Sequence, residues 1–116
     1  MEATPPDVTV RKDETTHLYE ALIGDQVVGT LAYETTGGRF SLTHSYVDRD
    51  QRHRGIASAI TRYALEDLSH GTSKIAVHCG FVADYVEAHP EWHAAVDINR
   101  SAFIATRTTR DTAGGH

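Results

Sequence analysis

The spacing of apolar and polar residues changes period near the middle of the chain. Up to Val47 the apolar residues fall into short runs bounded by turn formers, the pattern of strands. "HLYEALI" and "QVVGTLAYE" are two such runs. Between them Gly24-Asp25 predicts a tight hairpin, because glycine accepts the positive φ that short hairpin turns demand. "ETTGGRF" predicts a second turn and "RFSLTHSYV" a further strand. With strict alternation, Phe40, Leu42, His44 and Tyr46 share one face of that strand. Ser41, Thr43, Ser45 and Val47 share the other. His44 is therefore expected on an apolar face.

After Val47 the period becomes helical. Ile56, Ile60, Tyr63, Ala64 and Leu68 line one side of a predicted helix, with Arg62, Glu66 and Asp67 opposite. His70-Gly71 is the expected stop, since helices often end on a glycine. "KIAVHC" is short, branched and apolar, like a buried strand. "FVADYVEA" returns to helical spacing through Phe81, Val82, Tyr85 and Val86. Pro90 breaks that helix or starts another short one at "PEWHAAV". Trp92 reads as an apolar anchor for that last segment.

This order predicts an α/β (α+β) fold: a twisted mixed sheet of antiparallel strands followed by a β-α-β-α unit. The strand–helix–strand step should be a right-handed crossover with its two strands parallel. Residues 8–98 are expected to form one domain, with a disordered segment over 1–7 and a flexible polar tail over 99–116. A length of 116 residues suits one domain, and 40% hydrophobic residues allow a modest core. The net charge of -5, with no long basic run, speaks against nucleic acid as a partner and mildly favours a cationic substrate. A single cysteine excludes an internal disulfide and fits a reducing compartment. No run is long and apolar enough for a membrane span, and "MEATPPDVTV" lacks the basic and apolar regions of a signal peptide. A cytoplasmic protein, monomeric or weakly dimeric, is expected.

The candidate chemistry sits where strand gives way to helix, at "RDQRHRGIASAI". A helix N-terminus offers free backbone N–H groups and a partial positive charge, which suit a phosphate. Gly55 lets the backbone approach a ligand closely. Arg52, His53 and Arg54 add positive charge beside it. Neither Gly-Lys-Ser/Thr nor GxGxxG occurs, so the common nucleotide-binding loops do not apply. His89 and His93 are four apart, but Pro90 between them argues against a metal pair. No metal site is expected, and His89 is expected to cap the helix that Pro90 begins.

The stretch Arg52-His53-Arg54-Gly55-Ile56-Ala57 resembles the Q/R-x-x-G-x-G/A signature of the GNAT N-acetyltransferase superfamily. "GTLAYE", "LTHSYV" and "CGFVADYVEAHPEW" extend the likeness to its small, shortened members, which carry a cysteine before an F-V-x-x-Y-x-x-x-H-P stretch. Val77 stands where those members usually have a proline. The resemblance implies a minimal GNAT fold and acetyl-coenzyme A as cofactor. Its implied contacts are Val47, Arg52, His53, Arg54, Gly55, Ile56, Ala57 and Ser58, together with Cys79 and Tyr85. It further implies transfer of acetyl to an amine, such as a protein or polyamine amine. Cys79 is then an active-site residue, either a nucleophile or part of the thioester pocket. His44 is the candidate base, or else a core histidine bonded to a carbonyl. Tyr85 is the candidate acid for the departing sulfur, or else a packing aromatic. A non-catalytic acyl-coenzyme A-binding or sensing module is the alternative.

Overall fold

The computed structural model describes residues 5–70 and 73–98. Four antiparallel strands come first: β1 (Val8–Asp13), β2 (Leu18–Ile23), β3 (Gln26–Thr36) and β4 (Arg39–Val47). Helix α1 (Ile56–Leu68) then crosses to β5 (Ile75–Val77), which pairs parallel with β4. Helix α2 (Gly80–Ala88) and a 3₁₀-helix (Pro90–Ala95) lead to β6 (Val96–Ile98), parallel to β5. The result is a six-stranded sheet in the order β1-β2-β3-β4-β5-β6, the mixed α+β architecture expected from the sequence. Among the described residues no helix is long and apolar enough to cross a membrane.

Several elements lie where the pattern puts them. The β2–β3 hairpin turns at Gly24-Asp25, and β5 is buried at Ile75 and Val77. Helix α1 buries Ile56, Ile60, Ala64 and Leu68, with Ala59, Thr61 and Leu65 added to that face. Thr61 is tolerated there because its hydroxyl donates to the Ala57 carbonyl at 2.8 Å. Tyr63 is only half covered and meets the Tyr19 ring edge-on. The predicted stop at Gly71 lies outside the described residues, as do 1–4 of the N-terminal segment and the whole of the 99–116 tail. Asp7, also in that N-terminal segment, is held by Arg54. The sequence reading does not include β6. Three residues carry too little periodicity, and only pairing with β5 makes them a strand.

The alternation expected for β4 does not hold. Ala32 pairs with His44 but Tyr33 pairs with Leu42, which leaves Thr43 as an extra residue on β4. This is a β-bulge, and one extra residue sends every following side chain to the opposite face. Phe40 and Leu42 therefore lie on the α1 side, opposite Thr35 and Tyr33. Beyond the bulge Ser45 and Val47 take over that side, opposite Leu31 and Gly29. His44 and Tyr46 pass to the other face and are exposed. The expectation that His44 sits on an apolar face is thus overturned.

Helices α1 and α2 touch each other, and their buried residues form one cluster with Tyr19, Ala21, Leu31, Tyr33, Leu42 and Val77. At the C-terminal end of α1 the Tyr19 hydroxyl donates to Asp67 Oδ2 at 2.8 Å, and Lys12 Nζ reaches the same oxygen at 2.9 Å. The ammonium also lies 5.2 Å from the Tyr33 ring centroid and 5.7 Å from those of Tyr19 and Phe40. Burial pulls the Lys12 ammonium down, but the hydrogen bond and charge of Asp67 outweigh it and hold Lys12 above its ordinary value. Burial likewise pushes Asp67 up, yet its bonds from Lys12 and Tyr19 keep it below the usual carboxylate range. Burial, then the bond to Asp67, raises Tyr19. This cluster clamps one end of α1 to the sheet. The other end is left for the site.

Candidate functional site

The chain leaves β4 under firm control. The Asp48 N–H donates to the Val28 carbonyl at 2.8 Å, and one turn of 3₁₀-helix follows at Arg49–Gln51. His53 then adopts φ +67°, a left-handed conformation uncommon for a residue with a side chain. Gly55 follows at φ 82°, ψ 14°, and serves as N-cap of α1. Left-handed residues on either side of Arg54 turn the chain sharply into the helix, where the free backbone N–H groups of its first turn suit an anion. No side chain caps these N–H groups, and no acid lies in the first turn of α1. Most helix starts supply an oxygen from the chain itself. Here the donors are left for another acceptor, and the helix macrodipole favours a negative one.

A cleft of about 460 Å³ opens at this turn. Arg52, His53, Gly55, Ile56, Ala57 and Ser58 form one wall, and Gln51 lies at its edge. Ser45, Tyr46 and Val47 of β4 form another, and Phe81 of α2 completes it. Phe81 is 39% exposed and gives the rim an aromatic edge. Arg52 is fixed by its Nε, which donates to the Val47 carbonyl at 3.0 Å. Of the residues implied as cofactor contacts, Val47, Arg52, His53, Gly55, Ile56, Ala57 and Ser58 are thus brought together. Arg54 is not among them. Its guanidinium donates to Gln51 Oε1 at 2.6 Å and is paired with Asp7. That position ties the N-terminal segment to the turn.

The strand pairing explains the cleft. The β4–β5 ladder ends at Leu42 with Val77, and the His78 N–H adds a bond to the Leu42 carbonyl at 2.9 Å. Strand β4 nevertheless runs on to Val47. Cys79 sits beyond this ladder as N-cap of α2, without a side-chain capping bond. Its S–H donates instead to Ser45 Oγ at 3.5 Å. The thiol is buried, at 7% exposure, and is not part of the cleft lining, whereas Ser45 is exposed to it.

The remaining candidates are spread out. His44 projects from the sheet face opposite Ser45, so it does not border the cleft. Tyr85 is buried on α2 with its ring stacked on His89 at 4.0 Å. His89 stands at the N-cap of the 3₁₀-helix that Pro90 begins, where its carbonyl accepts the Trp92 N–H at 3.1 Å, but its side chain makes no capping bond. Its Nδ1 bonds the Tyr85 carbonyl at 2.7 Å, and His93 Nε2 bonds the Val86 carbonyl at 2.9 Å. Each is an N–H donor to the end of α2, where helix carbonyls run short of partners; the Val86 carbonyl also accepts the His89 N–H at 3.1 Å. Trp92 packs against the core, as expected of an anchor.

Five residues at the site were not singled out from the sequence. Ser45, Tyr46, Gln51 and Phe81 line the cleft, and β4 alternation without the bulge gave Ser45 no special place. The fifth, Gly29, packs against the first turns of α1. A Cβ there would lie 3.1 Å from Ile60 Cδ1, 3.2 Å from Ile56 Cγ2 and 3.3 Å from the Tyr46 carbonyl oxygen. Its bare backbone lets the first turns of α1 sit tight against the sheet. A glycine inside an otherwise apolar strand is the available signal. A family model described as GCN5-related N-acetyl-transferase matches residues 18–96. No curated protein matches the chain.

Proposed function

The chain belongs to the GCN5-related N-acetyl-transferase family, whose chemistry is acyl transfer, and we propose that it moves the acetyl group of acetyl-coenzyme A to an amine. One observation carries the cofactor reading. The uncapped N-terminus of α1, with left-handed His53 and Gly55 before it, opens on a cleft edged by Arg52. A pyrophosphate accepts what that turn offers, namely backbone donors and positive charge without a competing acid. Val47, Ile56 and Ala57 leave apolar wall beside it for the pantetheine arm, and Phe81 extends that wall towards α2.

The acceptor must present a neutral amine to the thioester, although an alkylamine titrates near ~10. A base or a poorly solvated approach is needed. His44 stands on the far face of the sheet and Tyr85 is buried against His89, so neither borders the cleft. The proton of the attacking amine therefore passes to water, or to His44 if the acceptor enters from the far face. The described residues leave that face of β4 exposed at His44 and Tyr46, which suits an amine on a large or extended acceptor.

A second reading rests on the same separation. A module that binds acyl-coenzyme A without turning it over would keep the turn and need no base near it. Titration calorimetry with acetyl-coenzyme A, followed by thiol-release assays over small amines, polyamines and lysine peptides, distinguishes the two. Binding with amine-dependent thiol release supports the transferase. Binding with no release from any amine leaves the module, and absence of binding removes both.

A further inference from the structure

We propose that Ser45 is the side chain that touches the reacting thioester, and that Cys79 is the positioning residue that orients it. This rests on the transferase reading above and assigns its chemistry to a different residue from the cysteine. The two groups are neighbours, with Sγ and Oγ 3.5 Å apart, but their exposure is opposite. Ser45 is exposed and lines the cleft; Cys79 is 7% exposed and does not. The bulge at Thr43 is the cause, since it turns Ser45 to the α1 side while His44 leaves it. A substrate in the cleft meets the hydroxyl before the thiol.

The direction of the hydrogen bond decides what the hydroxyl can do. A serine hydroxyl has one proton to donate and two lone pairs to accept with. The Cys79 S–H uses one lone pair. The hydroxyl proton is then free to point away from Cys79, into the cleft. In the transfer, the amine nitrogen forms a bond to the thioester carbonyl carbon and the carbon–sulfur bond breaks. The sulfur keeps the bonding electrons, the amine loses one proton, and the coenzyme thiolate gains one. Ser45 gives up no proton overall. Its O–H donates a hydrogen bond to the charge that grows on the carbonyl oxygen or the departing sulfur. Such a donor acts most where charge develops in the transition state, and losing one typically slows turnover by about 10²–10³.

The test compares Ser45→Ala, Ser45→Thr and Cys79→Ala, each checked for folding by circular dichroism. Ser45→Ala should lower thiol release at saturating amine by at least about tenfold, with acetyl-coenzyme A affinity essentially kept. Ser45→Thr retains the hydroxyl and should recover most of the rate. Cys79→Ala should cost less than Ser45→Ala. Two further readouts separate these roles from a merely structural one: in Ser45→Ala kcat should fall while the KM for acetyl-coenzyme A stays near the parent value, and Cys79→Ser, which keeps a donor for Ser45 Oγ, should recover the rate lost in Cys79→Ala. The assignment is overturned if Ser45→Ala keeps the parent rate. It is overturned equally if Cys79→Ala abolishes turnover and the parent protein, given acetyl-coenzyme A without acceptor, carries an acetyl thioester at Cys79. If the parent binds acetyl-coenzyme A but releases thiol with no amine, the transferase reading itself fails. That result is separate, because it appears before any variant is made.

Discussion

Gly29→Ala tests how closely α1 must sit against the sheet for the site to exist. The new methyl would lie 3.1 Å from Ile60 Cδ1, 3.2 Å from Ile56 Cγ2 and 3.3 Å from the Tyr46 carbonyl oxygen. Ordinary carbon contacts are about 3.5–4.0 Å. Ile60 Cδ1 is the end of a flexible side chain and can move. Ile56 Cγ2 belongs to a β-branched residue held near one rotamer in a helix, and the Tyr46 oxygen is backbone in β4. Relief must come from a shift of the first turn of α1 or of the strand. Overpacking of this kind costs about 1–3 kcal/mol. Alanine recovers about 0.4–1 kcal/mol by restricting the unfolded chain. The net expectation is a loss of roughly 1–2 kcal/mol, or about 4–8 °C of Tm for each kcal/mol in a domain of this size. Because Ile56 begins the helix whose N-terminus edges the cleft, acetyl-coenzyme A affinity should fall as well. Thermal denaturation and calorimetry measure the two effects. Parent-like Tm and parent-like affinity together would refute the argument, since they require a contact that yields without moving the turn.

Arg52→Gln should weaken acetyl-coenzyme A binding and flatten its salt dependence, because a screened charge beside a phosphate is removed; affinity and salt slope equal to the parent's would make Arg52 a solvated residue. Lys12→Met should cost roughly 1 kcal/mol by chemical denaturation, discounted for the 38% exposure of the Asp67 side chain. Asp67 is held below its ordinary range, so its contribution is present above about pH 4 and disappears as pH falls through its folded value. Lys12 and Tyr19 are raised, so theirs is present below about pH 10 and lost as pH climbs through their folded values. The variant should show a shallower loss on both limbs, and curves parallel to the parent's would contradict this account of the cluster. His44→Gln should leave cofactor affinity alone, and its turnover reports whether the acceptor enters from the far face. A fall in turnover at unchanged affinity supports that entry; parent-like turnover sends the amine's proton to solvent.

The elements whose signals are local were legible in the residues. The helical repeat from Ile56 to Leu68, the apolar "KIAVHC" and the glycine hairpin follow from nearest neighbours and periodicity, so they appear where the pattern puts them. The turn at His53 and Gly55 was legible for the same reason, since a glycine before a helix and adjacent cations are contiguous features. Other features depend on distant partners. β6 exists because β5 offers a strand edge. The Thr43 bulge exists because β4 must pair with β3 in a register that alternation within β4 cannot reveal. That one extra residue reversed the faces of His44 and Ser45. It placed the hydroxyl, not the imidazole, in the cleft beside Cys79. Arg54 and Arg52 look equivalent in sequence, yet Asp7 and Gln51 engage one while the Val47 carbonyl fixes the other beside the cleft. Local periodicity determines which segments become helix or strand. Which side chains share a cleft is decided by strand register and by close approach at a residue such as Gly29, and both are properties of the assembled sheet.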